Sequence, residues 1–139
     1  MNYKIIGKYI KDLNFKIPNA KTFFLLSKNI ANYKINIDIK SAQLKQNIIE
    51  VLITLQLNPT KNDFEKINTS IIFSTIIELI NEKIGKKELE KIVLIEVPDQ
   101  VYSELRKVFV ALFESSGFKE IKISEKIDFE QLYNIKKTQ

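Results

Sequence analysis

A chain of 139 residues, 45% hydrophobic and 28% charged, has the composition of one ordinary globular domain with enough apolar mass for a core, which excludes multidomain and disordered readings. It holds no Cys, His or Trp, and its glycines are Gly7, Gly85 and Gly117, so disulfides, Cys/His zinc sites, Ser-His-Asp triads, thiolate nucleophiles, Walker loops and dinucleotide fingerprints are all excluded. Its 22 basic and 17 acidic residues give a net charge of +5, but Arg106 is the one arginine and the lysines are scattered, in runs no longer than Lys86-Lys87 or Lys136-Lys137, which argues against nucleic acid as a partner.

The first segment alternates, with Tyr3, Ile5, Tyr9, Leu13, Phe15 and Ile17 at odd positions and Lys4, Lys8, Asp12, Asn14 and Lys16 at even ones. That predicts a half-buried strand, closed by Pro18-Asn19. Tyr33, Ile35, Ile37 and Ile39 against Lys34, Asn36, Asp38 and Lys40 predict a second strand, and Ile49, Val51, Ile53, Leu55 and Leu57 against Glu50, Thr54 and Gln56 a third. The turn chemistry of Asn58-Pro59-Thr60-Lys61-Asn62-Asp63 predicts a hairpin into a fourth strand from Phe64 to Ser74. Short links join antiparallel neighbours, so the first half reads as a four-stranded antiparallel meander with one apolar face.

The second half changes period. Residues 86 to 95, KKELEKIVLI, fit either a short helix or an extended crossover. From Asp99 to Ser116 the apolar positions Val101, Tyr102, Leu105, Val108, Phe109, Leu112 and Phe113 cover about 140° of a helical wheel. Pro98 and Asp99 are placed to start this helix and Gly117 to stop it. An arc that wide predicts contact with two things, the chain's own sheet and a second subunit. Asp128 and Gln131 resemble a capping box opening a short terminal helix through Phe129, Leu132 and Tyr133. The expected fold is α+β, a single domain over 1–139 in which a four-stranded antiparallel sheet is followed by one long helix and a short C-terminal helix.

The N-terminal stretch MNYKIIGKYIKDL carries Lys4, Lys8, Lys11 and Asp12 where a signal peptide needs an unbroken apolar run. The charge-free run from Ile67 to Ile77 falls short of the roughly 20 residues a bilayer span requires. The expectation is a cytoplasmic chain without membrane insertion. The carboxylates fall mostly on polar faces, and Phe23, Phe24, Phe109, Phe113, Phe118, Phe129 and Tyr133 read as core, so neither enzyme chemistry, a cofactor nor a metal is expected.

The dodecamer Tyr9-Ile10-Lys11-Asp12-Leu13-Asn14-Phe15-Lys16-Ile17-Pro18-Asn19-Ala20 closely resembles the first-strand signature of the SecB protein-export chaperones. Ile35 to Ile39 is similar to that family's second strand, Glu50-Val51 to its third and Ile72-Phe73-Ser74 to the end of its fourth. Pro98-Asp99, Tyr102 and Arg106 resemble the start of its long helix, Gly117-Phe118 the turn after it, and Ile127-Asp128-Phe129-Glu130-Gln131-Leu132-Tyr133 its terminal helix. The likeness covers nearly the whole chain.

The resemblance implies an ATP-independent holdase that binds unfolded presecretory proteins and passes them to the SecA motor. It implies a homotetramer, a dimer of dimers in which edge strands pair and the long helices are sandwiched between dimers, in agreement with the wide apolar arc, which points to Val101, Leu105, Val108 and Leu112 as interface residues. Family grooves lie between the second strand and the terminal helix, which nominates Ile35, Ile37, Ile39, Phe129, Leu132 and Tyr133 for client binding. SecA docking in the family uses an acidic patch on the outer sheet face. Asp12 matches one of its positions, while Lys16 and Lys66 stand where two others are acidic, with Glu65 able to restore one if the register slips. Prolines expected in the long-helix start and before the terminal helix are absent, with Ser103 and Lys126 in those neighbourhoods. A SecB-like chaperone dedicated to one client, such as an antitoxin, without SecA docking, is the alternative left open.

Overall fold

A computed structural model describes residues 2–30, 33–59, 67–81, 83–118 and 123–138. Alternating β-branched and polar residues build four long strands, β1 (Tyr3–Lys16), β2 (Tyr33–Lys45), β3 (Ile48–Pro59) and β4 (Asn68–Leu79). All neighbours are antiparallel, in the order β1-β4-β3-β2. Strands β2, β3 and β4 form a meander, with Asn47 at φ 66° in the tight turn between the first two, a conformation Asn tolerates better than most residues. The first strand does not follow that pattern: it lies beyond β4, which corrects the expected four-strand meander.

The cause is a helix that the sequence reading missed, α1 (Ala20–Asn29). Asn19 caps it, its Oδ1 accepting the Thr22 N–H at 2.8 Å. Thr22 and Leu26 are buried and Phe23 and Ile30 half-buried, the spacing of one helical face. A helix in this link, rather than a tight turn, lets β1 and β2 occupy opposite edges of the sheet. Strand β4 runs on past Ser74 to Leu79, whose N–H donates to the Asn47 carbonyl at 2.7 Å. The expected hairpin residues 60–63 and the onset at Phe64, like Lys66, lie outside the described residues.

Two bulges in β1, between Ile5 and Gly7 and between Ile10 and Asp12, each add a residue opposite β4 and swap which side chains face the helices. Between them Lys8 and Ile10 turn to the helix side and Tyr9 to the outer face, correcting the strict odd-position face; beyond the second bulge Leu13 and Phe15 return. Lys8 accordingly forms an ion pair with Glu104 on the long helix.

That helix runs through three parts: α2 (Lys86–Lys91), a π-helical turn (Ile92–Glu96) and α3 (Val97–Ser115). Pro98 offers no N–H to the carbonyl four residues back and its ring crowds that carbonyl. Just upstream the ladder slips by one residue, Val97 N–H donating to the Ile92 carbonyl. The segment 86–95 is therefore helical, and Pro98-Asp99 lie inside the long helix rather than at its start. Its C-terminus is a Schellman close: Phe118 N–H donates to the Phe113 carbonyl at 3.0 Å, Gly117 N–H to the Glu114 carbonyl at 3.1 Å, and the Phe113 and Phe118 rings meet at 5.8 Å. Gly117 sits at φ 97°, and a Cβ there would lie 3.3 Å from the Phe23 ring. Gly117→Ala should therefore cost about 1–2 kcal/mol, read as a lower urea midpoint with unchanged m-value. A terminal helix, α4 (Phe129–Thr138), is capped by Asp128, whose Oδ1 accepts the Gln131 N–H at 2.9 Å.

The core lies between one sheet face and α3. Val51, Ile53, Leu55, Ile71 and Ile77 from β3 and β4 meet Leu105, Phe109 and Phe113, all fully buried. Among the described residues no helix is long and apolar enough to cross a membrane, and no group of three or more His, Cys, Asp or Glu could hold a metal ion.

Candidate binding surfaces

On the helix side of the sheet, a groove of about 280 Å³ opens between the β2–β3 hairpin and the start of the long helix. Ile49, Leu89, Val93 and Leu94 supply its apolar lining, and Ser41, Gln43, Lys86 and Glu90 its polar groups. An apolar channel with a few polar groups suits a segment of chain with apolar side chains, and nothing in it is arranged for bond-making chemistry. These lining residues were not nominated from sequence, because 86–95 had no settled structure there. The signal was available in part: Leu89 and Val93 are spaced i, i+4 on one helical face, and Leu94 adjoins Val93.

The nominated client residues divide. Ile35, Ile37 and Ile39 lie half-buried on the helix side of β2, opposite Leu57, Leu55 and Ile53, and continue the face that carries Ser41 and Gln43 into the groove. Tyr133 is buried on α4 but joins the groove indirectly, its OH donating to Glu90 Oε2 at 3.0 Å. That bond, then burial and the Glu90 charge, holds the Tyr133 phenol above the usual tyrosine range. Phe129 is a core residue, 3% exposed, its ring edge-on to Tyr102 at 5.9 Å. Leu132 is 39% exposed, and with Ile135 it forms the apolar surface of α4.

Of the residues nominated for assembly, Val101 and Leu105 are consumed by the chain's own core at 1% and 0% exposure. Val108 and Leu112 are half-buried and reach the surface, as does Val110. The wide apolar arc thus has an inner portion enclosed by the core and a partly open outer portion, in which Val108 and Val110 pack against the rim of the core.

Asp12 and Lys16 are exposed on the outer sheet face, opposite Ile72 and Asn68 of β4. The same face holds a buried acid that the sequence reading missed. Glu50, 7% exposed, accepts the Tyr9 hydroxyl at 2.6 Å and the Ser74 hydroxyl at 2.7 Å, with Lys11 Nζ 3.8 Å away. The Tyr9 and Ser74 bonds, aided by Lys11 and opposed by burial, hold its carboxyl below the usual glutamate range. The first bulge is what aims Tyr9 outward to make this contact. A carboxyl so lowered stabilises the fold fully above the ordinary glutamate pKa of about 4.3 and loses that contribution as pH falls through its folded value. Glu50→Gln should therefore lower the urea midpoint at pH 7, and the gap to the parent should shrink as pH is taken below about 4. A gap independent of pH would show that the Glu50 charge is not what the two hydroxyls stabilise.

A family model described as preprotein translocase subunit SecB matches residues 1–139. A Pelagibacter ubique chain, provisionally named protein-export protein SecB, is 39% identical over 132 residues, 95% of this chain and 94% of that one. The protein-export protein SecB of Anaplasma marginale is 29% identical, covering 94% of this chain and 79% of its own. Among solved structures, a SecB-like chaperone of Mycobacterium tuberculosis, in complex with a peptide from an antitoxin, superposes with a TM-score of 0.61 at 10% identity, over 91% of this chain and 88% of that one. At that identity the likeness is one of fold.

Proposed function

This chain belongs to the SecB family, whose members are chaperones and not enzymes, and from that premise we propose that it holds unfolded presecretory polypeptides in the cytoplasm, without nucleotide, and delivers them to the SecA motor. The observation that carries the reading is the open apolar groove continuous with the Ile35, Ile37 and Ile39 face of β2. Unfolded chains present apolar side chains without fixed shape, so a holdase gains from several shallow apolar contacts that act together rather than from one deep pocket. Leu132 and Ile135 on α4 extend the apolar surface, while Phe129 and Tyr133 act by seating that helix.

Assembly as a dimer of dimers multiplies the contacts. Strand β1 is a 14-residue edge strand whose Ile6, Ile10 and Leu13 are between 43% and 50% exposed, and an uncovered edge of that length is a template for pairing. The remaining apolar surface of α3, Val108 and Leu112, is the natural second contact.

Docking to SecA is proposed to run through Asp12 and Lys16 on the outer face, together with Lys66. Two bases where the family carries acids repel a cationic partner segment, so the cognate motor must offer complementary acidity. Replacing Lys16 and Lys66 by Glu should strengthen binding to a SecA whose own SecB is acidic and weaken binding to the cognate one, with both effects fading as salt rises. The test is parallel titration of the protein with SecA and with an unfolded preprotein. Binding to both supports the export reading; preprotein binding without SecA supports the alternative, a chaperone dedicated to one client; loss of client binding in the Glu variants with SecA affinity unchanged reverses the two surfaces.

A further inference from the structure

Helix α1 carries a stripe that the core does not use. Lys21, Phe24, Leu25 and Lys28 follow the i, i+3, i+4, i+7 spacing of one helical face, opposite the buried Thr22 and Leu26. Phe24 is 68% exposed, the most exposed of the large apolar side chains among the described residues, and Leu25 is 45% exposed. Two apolar side chains are thus held in solvent between two lysines. Beside them runs a second groove of about 590 Å³, lined by Phe15, Ile17, Ala20, Phe23, Phe24 and Ser116 among others.

Among the described residues, the charge around this stripe is mostly positive. Residues 13 to 37 contain Lys16, Lys21, Lys28 and Lys34 and no Asp or Glu. On the segment 113–118, whose Phe118 ring meets the Phe23 ring at a tilt with centroids 5.0 Å apart, the one acid is Glu114.

From this we infer that the α1 stripe and its groove take acidic-apolar segments of unfolded polypeptide, in which one or two large apolar side chains are flanked by carboxylates. The inference rests on the chain-holding reading above and adds the charge class of the segments held. Lys21 and Lys28 are two helical turns apart, about 10 Å along the axis, and a chain in the polyproline II conformation common in unfolded polypeptides returns to the same face every three residues, about 9 Å further on. A peptide with carboxylates at positions i and i+3 and apolar residues between them therefore matches the stripe in charge and spacing. An anionic bilayer is the less favoured occupant, because α1 is ten residues long and exposes two large apolar side chains, too little apolar area for an interfacial anchor.

The test uses the full chain and three labelled 15-residue peptides that differ only in flanking a central Leu-Phe with Glu, Gln or Lys, read by fluorescence anisotropy. The Glu peptide should bind about tenfold tighter than the Lys peptide at low salt, since two attractive exposed contacts are exchanged for two repulsive ones, and the ratio should approach one near 0.5 M salt. Lys21→Glu with Lys28→Glu should invert the order, and Phe24→Ser should weaken all three peptides while lowering the urea midpoint only slightly, because the side chain is mostly exposed and meets Phe23 edge-on. Equal affinity for the Glu and Lys peptides, a preference that survives the double charge reversal, or binding to anionic vesicles in place of the peptides would each overturn the inference. If an unfolded protein binds but the charge order is absent, the inference falls alone; if neither the Gln peptide nor an unfolded protein binds, the holding reading falls with it.

Discussion

Replacing Leu105 by Asp should leave the chain unfolded at neutral pH. The side chain is fully buried on α3, facing the sheet residues that form the core. Truncating a buried Leu costs about 2–5 kcal/mol. An unpaired carboxylate in the same place adds several more, and the sum is comparable with the whole stability of about 5–15 kcal/mol expected for a domain. Far-UV circular dichroism reads the result directly, and Leu105→Ala gives the graded version, a lower urea midpoint with the fold retained. A native spectrum for Leu105→Asp would mean that α3 does not pack on the sheet as described.

A different outcome is expected one and two turns further along the same helix. Val108→Asp combined with Leu112→Asp should keep the circular dichroism spectrum with a lowered stability and split the assembly, because these side chains are half-buried, Val108 at the rim of the core and neither enclosed by it. If they meet a partner helix, two carboxylates buried there without partners cost several kcal/mol each, enough to shift a dimer-of-dimers equilibrium by orders of magnitude. Multi-angle light scattering reads the mass. A parent protein that is monomeric throughout the accessible concentration range would remove the assembly reading, and an unchanged mass in the double variant would move the contact elsewhere. The contrast between Leu105 and Leu112 separates the inner and outer portions of one apolar arc.

That arc shows why the sequence was informative about the fold and less so about the surfaces. Alternation in β2 and β3 and the helical period after Asp99 are direct consequences of one-sided burial, so the strands, the long helix and the Asp128 cap were all legible. A helical wheel, however, counts apolar positions without saying what covers them, and so Val101 and Leu105 were grouped with Val108 and Leu112. The bulges in β1 were hidden because a bulge is set by pairing with β4; its trace was Ile6 and Ile10, apolar residues that broke the alternation. Tyr9 counted as core for that reason, and its bond to Glu50 could not be seen. Helix α1 was legible in part through Pro18-Asn19 and the spacing of Phe23, Leu26 and Ile30, a pattern short enough to pass for a loop. The groove wall at Leu89, Val93 and Leu94 depended on whether the ladder survives the approach to Pro98, which a one-residue slip in the preceding turn decides.

The central claim is that this chain holds unfolded polypeptides through exposed apolar surface and without nucleotide. Its most direct test follows light scattering of a chemically unfolded, apolar-rich client after dilution, with increasing amounts of this protein and no ATP, alongside binding to the same client in its folded form. The claim predicts that scattering falls as the protein is added in stoichiometric amounts, that ATP changes nothing, and that the folded client binds poorly. Scattering unchanged by a several-fold excess of the protein would contradict it.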